Sequence, residues 1–201
     1  MNDDIYKTVR DQFIAHGGIM STGEAISSGI HPRTLYAMRD NGKLERLERG
    51  LYRLADIAPL SNPDLVPVAL KIPKGVVCLI SALSFHKLTT QLPHEVYVAL
   101  PKNAEPPRLS HPPVRIFWFT GKAYAEGIEE YKIDGVTVRI YCSEKAIADS
   151  FKYRNKLGLD VALEALKEYF EQQTRNIDDL FHFARICRVE KIMTPYIEAL
   201  V

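Results

Sequence analysis

Between His31 and Arg53 the chain carries Arg33, Arg39, Lys43, Arg46, Arg49 and Arg53 against only Asp40, Glu45 and Glu48. Six cations minus three anions make this segment +3, and because the whole chain is +1, the remainder is −2. A local basic stripe on a nearly neutral protein suits the gripping of phosphates. Arginine adds a planar fork that can hold a guanine edge through two hydrogen bonds. On this reading Arg33 is the base reader, and Thr34, Ala37 and Tyr36 share its exposed side. Arg46 and Arg49 make phosphate contacts, and Arg39, Lys43 and Arg53 complete the stripe. His31 either joins the contact or caps the helix that follows it.

A second basic, aromatic-interleaved cluster is Lys152-Tyr153-Arg154-Asn155-Lys156. Its charges fit a helix C-terminus, with Gly158 marking the end. They also fit a further nucleic-acid contact through Lys152, Tyr153, Arg154 and Lys156, or a docking face for another macromolecule.

Catalytic constellations are weak by comparison. Asp134, Glu144 and Lys145 are the residue types of a metal-dependent nuclease. Glu144 and Lys145 are adjacent, however, and fall where a helix begins, so Glu144 complements the helix dipole and Lys145 pairs with Asp149 one turn on. His86, His94, His111 and His182 have no metal-ligand spacing, Ser84 and Ser143 lack a glycine-flanked elbow, and no glycine-rich phosphate loop occurs. Cys78, Cys142 and Cys187 stand alone among apolar neighbours, as buried inert thiols do. The expectation is a protein that is not an enzyme and has no catalytic residue, metal or cofactor.

The stripe needs a scaffold, and the N-terminal residues supply one. A helix is expected from Asp4 to His16, with Ile5, Val9, Phe13 and Ile14 on its buried face and Gly17-Gly18 ending it. Ser21-Thr22-Gly23-Glu24 is a capping box that opens a short helix stopped by Gly29. Pro32 suits the first turn of a third helix, with Leu35 and Met38 inward and Asn41-Gly42 closing it. Leu44, Leu47, Leu51 and Leu54 then mark two short strands around a turn near Glu48 to Gly50. Three helices and a basic hairpin make a winged helix-turn-helix, whose third helix enters the major groove while the wing holds the backbone.

Pro59, Ser61, Asn62 and Pro63 form a stiff polar link, which divides the chain into a DNA-binding domain over 1–58 and a second domain over 64–201. In the second, residues 76–88 pass from a strand into a helix around Ser81 to Leu88. Val96 to Leu100 is a strand, and a loop with Pro106, Pro107, Pro112 and Pro113 follows. Val114 to Phe119 reads as a central strand, apolar on both faces. Asp134-Gly135 joins Tyr131–Ile133 to Val136–Tyr141 as a hairpin. Helices then fill the remainder. Ser143 caps one carrying Ile147 and Phe151, Asp160 opens one carrying Leu163, Leu166 and Phe170, Asn176 opens one carrying Leu180, Phe181 and Ala184, and a last runs from Glu190 to Ala199. The fold class is α+β, a winged helix followed by a mixed α/β domain with a small sheet and a C-terminal helical layer. With 46% hydrophobic and 25% charged residues, disorder and fibrous architectures are excluded. No apolar run spans a membrane and no signal core follows the polar start Met1-Asn2-Asp3-Asp4, so a cytoplasmic location is expected.

The run GIHPRTLYAMRDNGKLERLERGLYRL resembles the N-terminal domain of the AbiEi family, the antitoxin and transcriptional-regulator components of type IV toxin–antitoxin (abortive infection) systems of bacteria. The resemblance continues in VVCLISALSFHKLTTQLPHEVYVALP and YCSEKAIADSFKYRNKLGLDVALEALKEYF, covering about Ser21 to Phe170. It implies repression of the protein's own promoter through the winged helix, and a C-terminal domain that counters a co-encoded nucleotidyltransferase-like toxin, with or without direct contact. Two alternatives stay open on the residues alone: a stand-alone transcription factor whose second domain senses a ligand or dimerises, and a nuclease. A monomer that pairs on inverted repeats of double-stranded DNA is expected.

Overall fold

The computed structural model describes residues 3–105 and 108–200, so Met1, Asn2, Pro106, Pro107 and Val201 of the readings above lie outside the described residues. The first elements are α1 (Asp3–Ala15), β1 (Ile19–Ser21), α2 (Thr22–Ser27), α3 (Pro32–Asp40), β2 (Leu44–Glu48) and β3 (Leu51–Leu54). Ser21 and Glu24 close the capping box as expected, the Ser21 hydroxyl accepting from Glu24 N at 3.1 Å and the Glu24 carboxylate from Ser21 N at 2.7 Å. On α1 the buried stripe is Val9 and Phe13, with Tyr6 alongside, whereas Ile5 and Ile14 are about half exposed. Ile14 lies about 100° around the helix from Phe13, and Ile5, about 40° from Val9, flanks the stripe in the first turn, where cover is least.

β1, missed in the sequence, pairs with β3, and the antiparallel sheet runs β1-β3-β2. Its two faces are both apolar. Met20, Leu44, Tyr52 and Leu54 pack on the helices with Val9, Phe13, Leu35 and Met38. Ile19 and Leu51, with Leu47, turn the other way and meet Val66, Leu60, Leu70, Ile133 and Val136. Strand side chains alternate, so the four leucines of β2 and β3 serve opposite faces.

The body follows as α4 (Leu65–Lys71), β4 (Val76–Val77), α5 (Leu79–Phe85), β5 (Val96–Pro101), β6 (Val114–Phe119), α6 (Lys122–Ala125), β7 (Ile128–Ile133), β8 (Val136–Tyr141), α7 (Ser143–Lys152), α8 (Arg154–Leu157), α9 (Leu159–Glu171), α10 (Ile177–Cys187) and α11 (Glu190–Glu198). The five-stranded sheet is ordered β6-β5-β4-β8-β7 and mixes parallel and antiparallel pairs. The whole is α+β.

Several expectations are corrected here. β6 is an edge strand, with Trp118 exposed on the face it shares with half-buried Val114 and Ile116, and Arg115 exposed on the other face beside buried Phe117. Ser143 is the first helical residue of α7, and Cys142 is the cap residue, without a side-chain cap. On α9 the buried residues are Val161, Ala162, Ala165, Leu166 and Tyr169, leaving Leu163 and Phe170 partly buried. Phe181 of α10 is partly buried, and Phe183 takes the inner place beside Leu180 and Ala184. The short α4 and α6 carry no sequence signal of their own, whereas the end of α8 at Gly158, with Arg154 and Lys156 in its last turn, is where the sequence places a helix C-terminus. The Asp134-Gly135 turn is as expected, with φ of 50° and 81° at its two residues.

α7 lies at the centre of the body, packed by α5, α9, α10 and α11. Burial there extends to charge: Lys145 and Asp149 are both fully buried and pair at 2.5 Å. This is not the ordinary surface pair expected from the i,i+4 spacing. The Lys145 ammonium also sits over the Tyr141 ring at 4.3 Å, and the Cys187 thiol donates to Asp149 at 3.1 Å. Burial drives the Cys78 and Cys187 thiols well up, and that of Cys142 to about 12.

Removing one partner strands a buried charge, so Asp149→Ala should cost about 3–5 kcal/mol in urea unfolding, and the Lys145→Met, Asp149→Leu double substitution should recover most of it. A second expectation concerns acid. Glu164 accepts from Thr90 N at 2.9 Å, Thr90 Oγ1 at 2.7 Å and Thr89 Oγ1 at 3.0 Å, and these bonds, led by the Thr90 N–H, hold its carboxyl below the usual 4.5. A depressed folded pKa gives stability that is present above about pH 4.5 and lost as pH falls through the folded value. Glu164→Gln should therefore flatten the fall of the urea midpoint between about pH 5 and 3, measured beside the parent protein.

Candidate nucleic-acid interface

α3 owes its position to its own two ends. His31 Nδ1 accepts from Arg33 N at 3.1 Å, so the histidine is the cap of the helix, and Pro32 occupies the first turn. Asn41 closes the other end, its side chain donating to Ala37 O at 2.8 Å. Leu35 and Met38 are fully buried, which orients the opposite side outward. That side presents Arg33 and Tyr36 as exposed residues, with Thr34 and Ala37 half-buried between them. α2 and α3 are joined by a tight turn at Gly29, the arrangement of a helix-turn-helix pair.

The basic residues of the stripe divide into two groups. Arg39 bonds Asp40 and lies over the Tyr36 ring at 5.3 Å. Lys43 is exposed, with its ammonium over the Tyr6 ring at 5.2 Å. Arg33, Arg46 and Arg49 are exposed, and among the described residues none has a carboxylate within ion-pair distance. Arg53 is a correction. It is only 6% exposed, pairs with Glu45 at 2.7 Å across the hairpin, and donates to Ile57 O at 2.7 Å and to Ala58 O. The register sets it opposite Glu45 on the face turned from the helices, where it fastens the link and cannot reach a ligand.

The acids are engaged as well. Asp40 and Glu45 are occupied by Arg39 and Arg53, and Glu48 turns inward to the body. The net charge of the segment stays +3, but its free cations, Arg33, Lys43, Arg46 and Arg49, are those that face solvent.

Residues 9–55 match the family model described as the transcriptional regulator, AbiEi antitoxin. The match runs from within α1 through the hairpin and takes in the first of the three AbiEi-like runs, over α3 and the hairpin, while the two later runs lie beyond it. It is a family of regulators. No curated protein matches the chain significantly. The AbiEi-like segment thus coincides with the apolar cluster built around Phe13, Leu35 and Met38.

The second basic cluster is only partly available. Tyr153 is half-buried between the rings of Phe117 and Phe119, and Arg154 donates to Phe151 O at 2.9 Å, satisfying a carbonyl of α7. Lys152 and Lys156 are exposed. The nuclease-like residues are dispersed in role: Asp134 accepts from Ser61, Glu144 accepts from Tyr169 at 2.5 Å, and Lys145 is sealed in the core. His86 bonds Tyr141 O at 2.8 Å and His182 bonds Glu126 at 3.0 Å. Among the described residues no three His, Cys, Asp or Glu side chains gather as a cation site would require. No helix there is long and apolar enough to cross a membrane.

The division of the arginines has a direct test. Arg53→Ala should lower stability by about 2–3 kcal/mol, since it removes charged hydrogen bonds from a buried site. Arg33→Ala, Arg46→Ala and Arg49→Ala should each stay within about 0.5 kcal/mol of the parent in the same denaturation assay.

Proposed function

We propose that this protein is a DNA-binding transcriptional autorepressor that serves as the antitoxin of a type IV toxin–antitoxin system. In this reading residues 1–58 are a winged helix-turn-helix and residues 64–201 the antitoxin domain, opposing a co-encoded nucleotidyltransferase-like toxin in the cytoplasm. The observation that carries it is the exposed face of α3, where Arg33, Thr34, Tyr36 and Ala37 stand on a helix held by the core that the AbiEi model matches. A helix so presented fits the major groove, with Arg33 at a guanine edge. Arg46 and Arg49 on the hairpin, with Lys43 and Arg39, then contact phosphates. Lys152 and Lys156 of the body are candidates for a second backbone contact. Two copies on an inverted repeat match the short half-site that one such module covers.

Binding to the protein's own upstream DNA should exceed binding to scrambled duplex in a salt series through about 150 mM, where non-specific binding is weak. Equal affinity for both duplexes contradicts the reading. Arg33→Ala should cost about 1–3 kcal/mol on the specific duplex and relax its sequence preference. Arg49→Ala should weaken binding to every duplex alike and lower the salt slope by about one. Growth rescue on co-expression with the neighbouring toxin tests the antitoxin part separately.

A further inference from the structure

We infer that the hairpin of β2 and β3 is not a free wing: the body holds it in place, and Glu48 and Lys71 are positioning residues for the phosphate grip of Arg46 and Arg49. The inference rests on the DNA-binding reading above and adds the body to the binding apparatus.

The hairpin has no overhang. Ser21, the last residue of β1, pairs with Leu51, the first of β3, so the Arg49-Gly50 turn begins where the sheet ends. Thr22 N donates to Gly50 O at 2.9 Å, tying the turn to the start of α2. Gly50 has φ of +72°, and a β-carbon there would meet Thr22 Oγ1 at 3.3 Å and Lys71 Nζ at 3.8 Å. The turn is thus enclosed, with the body on one side of it.

Two polar tethers cross from the hairpin to the body. The first depends on a register irregularity between Arg46 and Glu48, where an extra residue re-aims the strand. Glu48 is thereby 6% exposed, its carboxylate accepting from His111 N at 2.9 Å and Ser110 N at 3.3 Å. Burial alone would raise its pKa, but the N–H groups of Arg49, Ser110 and His111 outweigh burial and hold it below the usual value. The second tether is Lys71, in the last turn of α4, which donates to Arg49 O at 2.6 Å. Beneath both lies the apolar contact of Ile19, Leu47 and Leu51 with Val66, Leu70 and Val136. The link is fastened too, by Arg53 to Ile57 O and by Ser61 N to Asp134 at 2.9 Å.

Arg46 and Arg49 therefore project from a backbone that is fixed before DNA arrives. A preordered grip avoids part of the entropy lost on binding, which a loose wing would incur. Charge gives this a distinctive sign. Removing the Glu48 carboxylate beside a phosphate-binding surface should strengthen binding if Glu48 acts only through its charge. If it acts by position, Glu48→Ala should weaken binding.

The experiment uses the full chain and its own upstream duplex, with amide hydrogen exchange as a readout independent of DNA. Glu48→Ala should speed exchange at Ser110 and His111 and weaken duplex binding about tenfold, as loss of charged hydrogen bonds would, without changing the salt slope. Glu48→Gln keeps one acceptor oxygen and should restore affinity to the parent value or above. Lys71→Met, which cuts the other tether, should also weaken binding with the slope unchanged, and it serves if Glu48→Ala does not fold. Faster exchange with unchanged or tighter binding overturns the positioning role and leaves the DNA reading intact. Rapid exchange at Ser110 and His111 in the parent protein overturns the tether itself. A parent protein blind to its upstream duplex sinks the DNA reading, and the exchange data then judge the tether alone.

Discussion

A three-stranded sheet with apolar side chains on both faces must be covered twice, and the rest of this structure follows from that requirement. Antiparallel sheets often leave one face to water, which permits polar residues there. Here Leu44 and Leu54 face the helices while Leu47 and Leu51 face the body, and Ile19 joins the second set. The helices alone cannot satisfy such a sheet. α4 and the β7–β8 hairpin supply the second cover through Val66, Leu70, Ile133 and Val136, so the DNA-binding-like head and the body share one apolar seam.

The charged residues are arranged around that seam. Arg53 and Glu48 are spent on it, one fastening the link and the other receiving the loop at Ser110 and His111. The arginines left over, Arg33, Arg46 and Arg49, are those that stand clear of it and face solvent. Buried, paired places and solvent-facing ones are thus divided among chemically identical side chains by register, not by type. The buried Lys145–Asp149 pair makes the same point in the body, where a nuclease-like residue is a core element instead.

Much of the head was legible in the sequence because its signals are local. The capping box at Ser21 and Glu24, Pro32 in the first turn of α3, and the inward Leu35 and Met38 depend on near neighbours only. What escaped depends on distant partners. β1 is only Ile19 to Ser21, too short for an alternation to register, and exists because β3 is there to pair with it. Arg53 was grouped with the contact residues because its charge is visible in the sequence while Glu45, Ile57 O and Ala58 O around it are not. β6 looked central from its apolar run, yet strand order is set by the crossover between parallel β5 and β6, which the run does not encode. The cap role of His31 is local and is seen in its bond from Arg33 N.

The most direct test of the account is a backbone-amide NMR titration of the full chain with its upstream duplex. The account expects the largest shifts along α3 at Arg33, Thr34, Tyr36 and Ala37 and on the hairpin at Arg46 and Arg49, with smaller shifts passing to Ser110 and His111 through Glu48. Shifts confined to other surfaces of the body, with α3 silent, would contradict it.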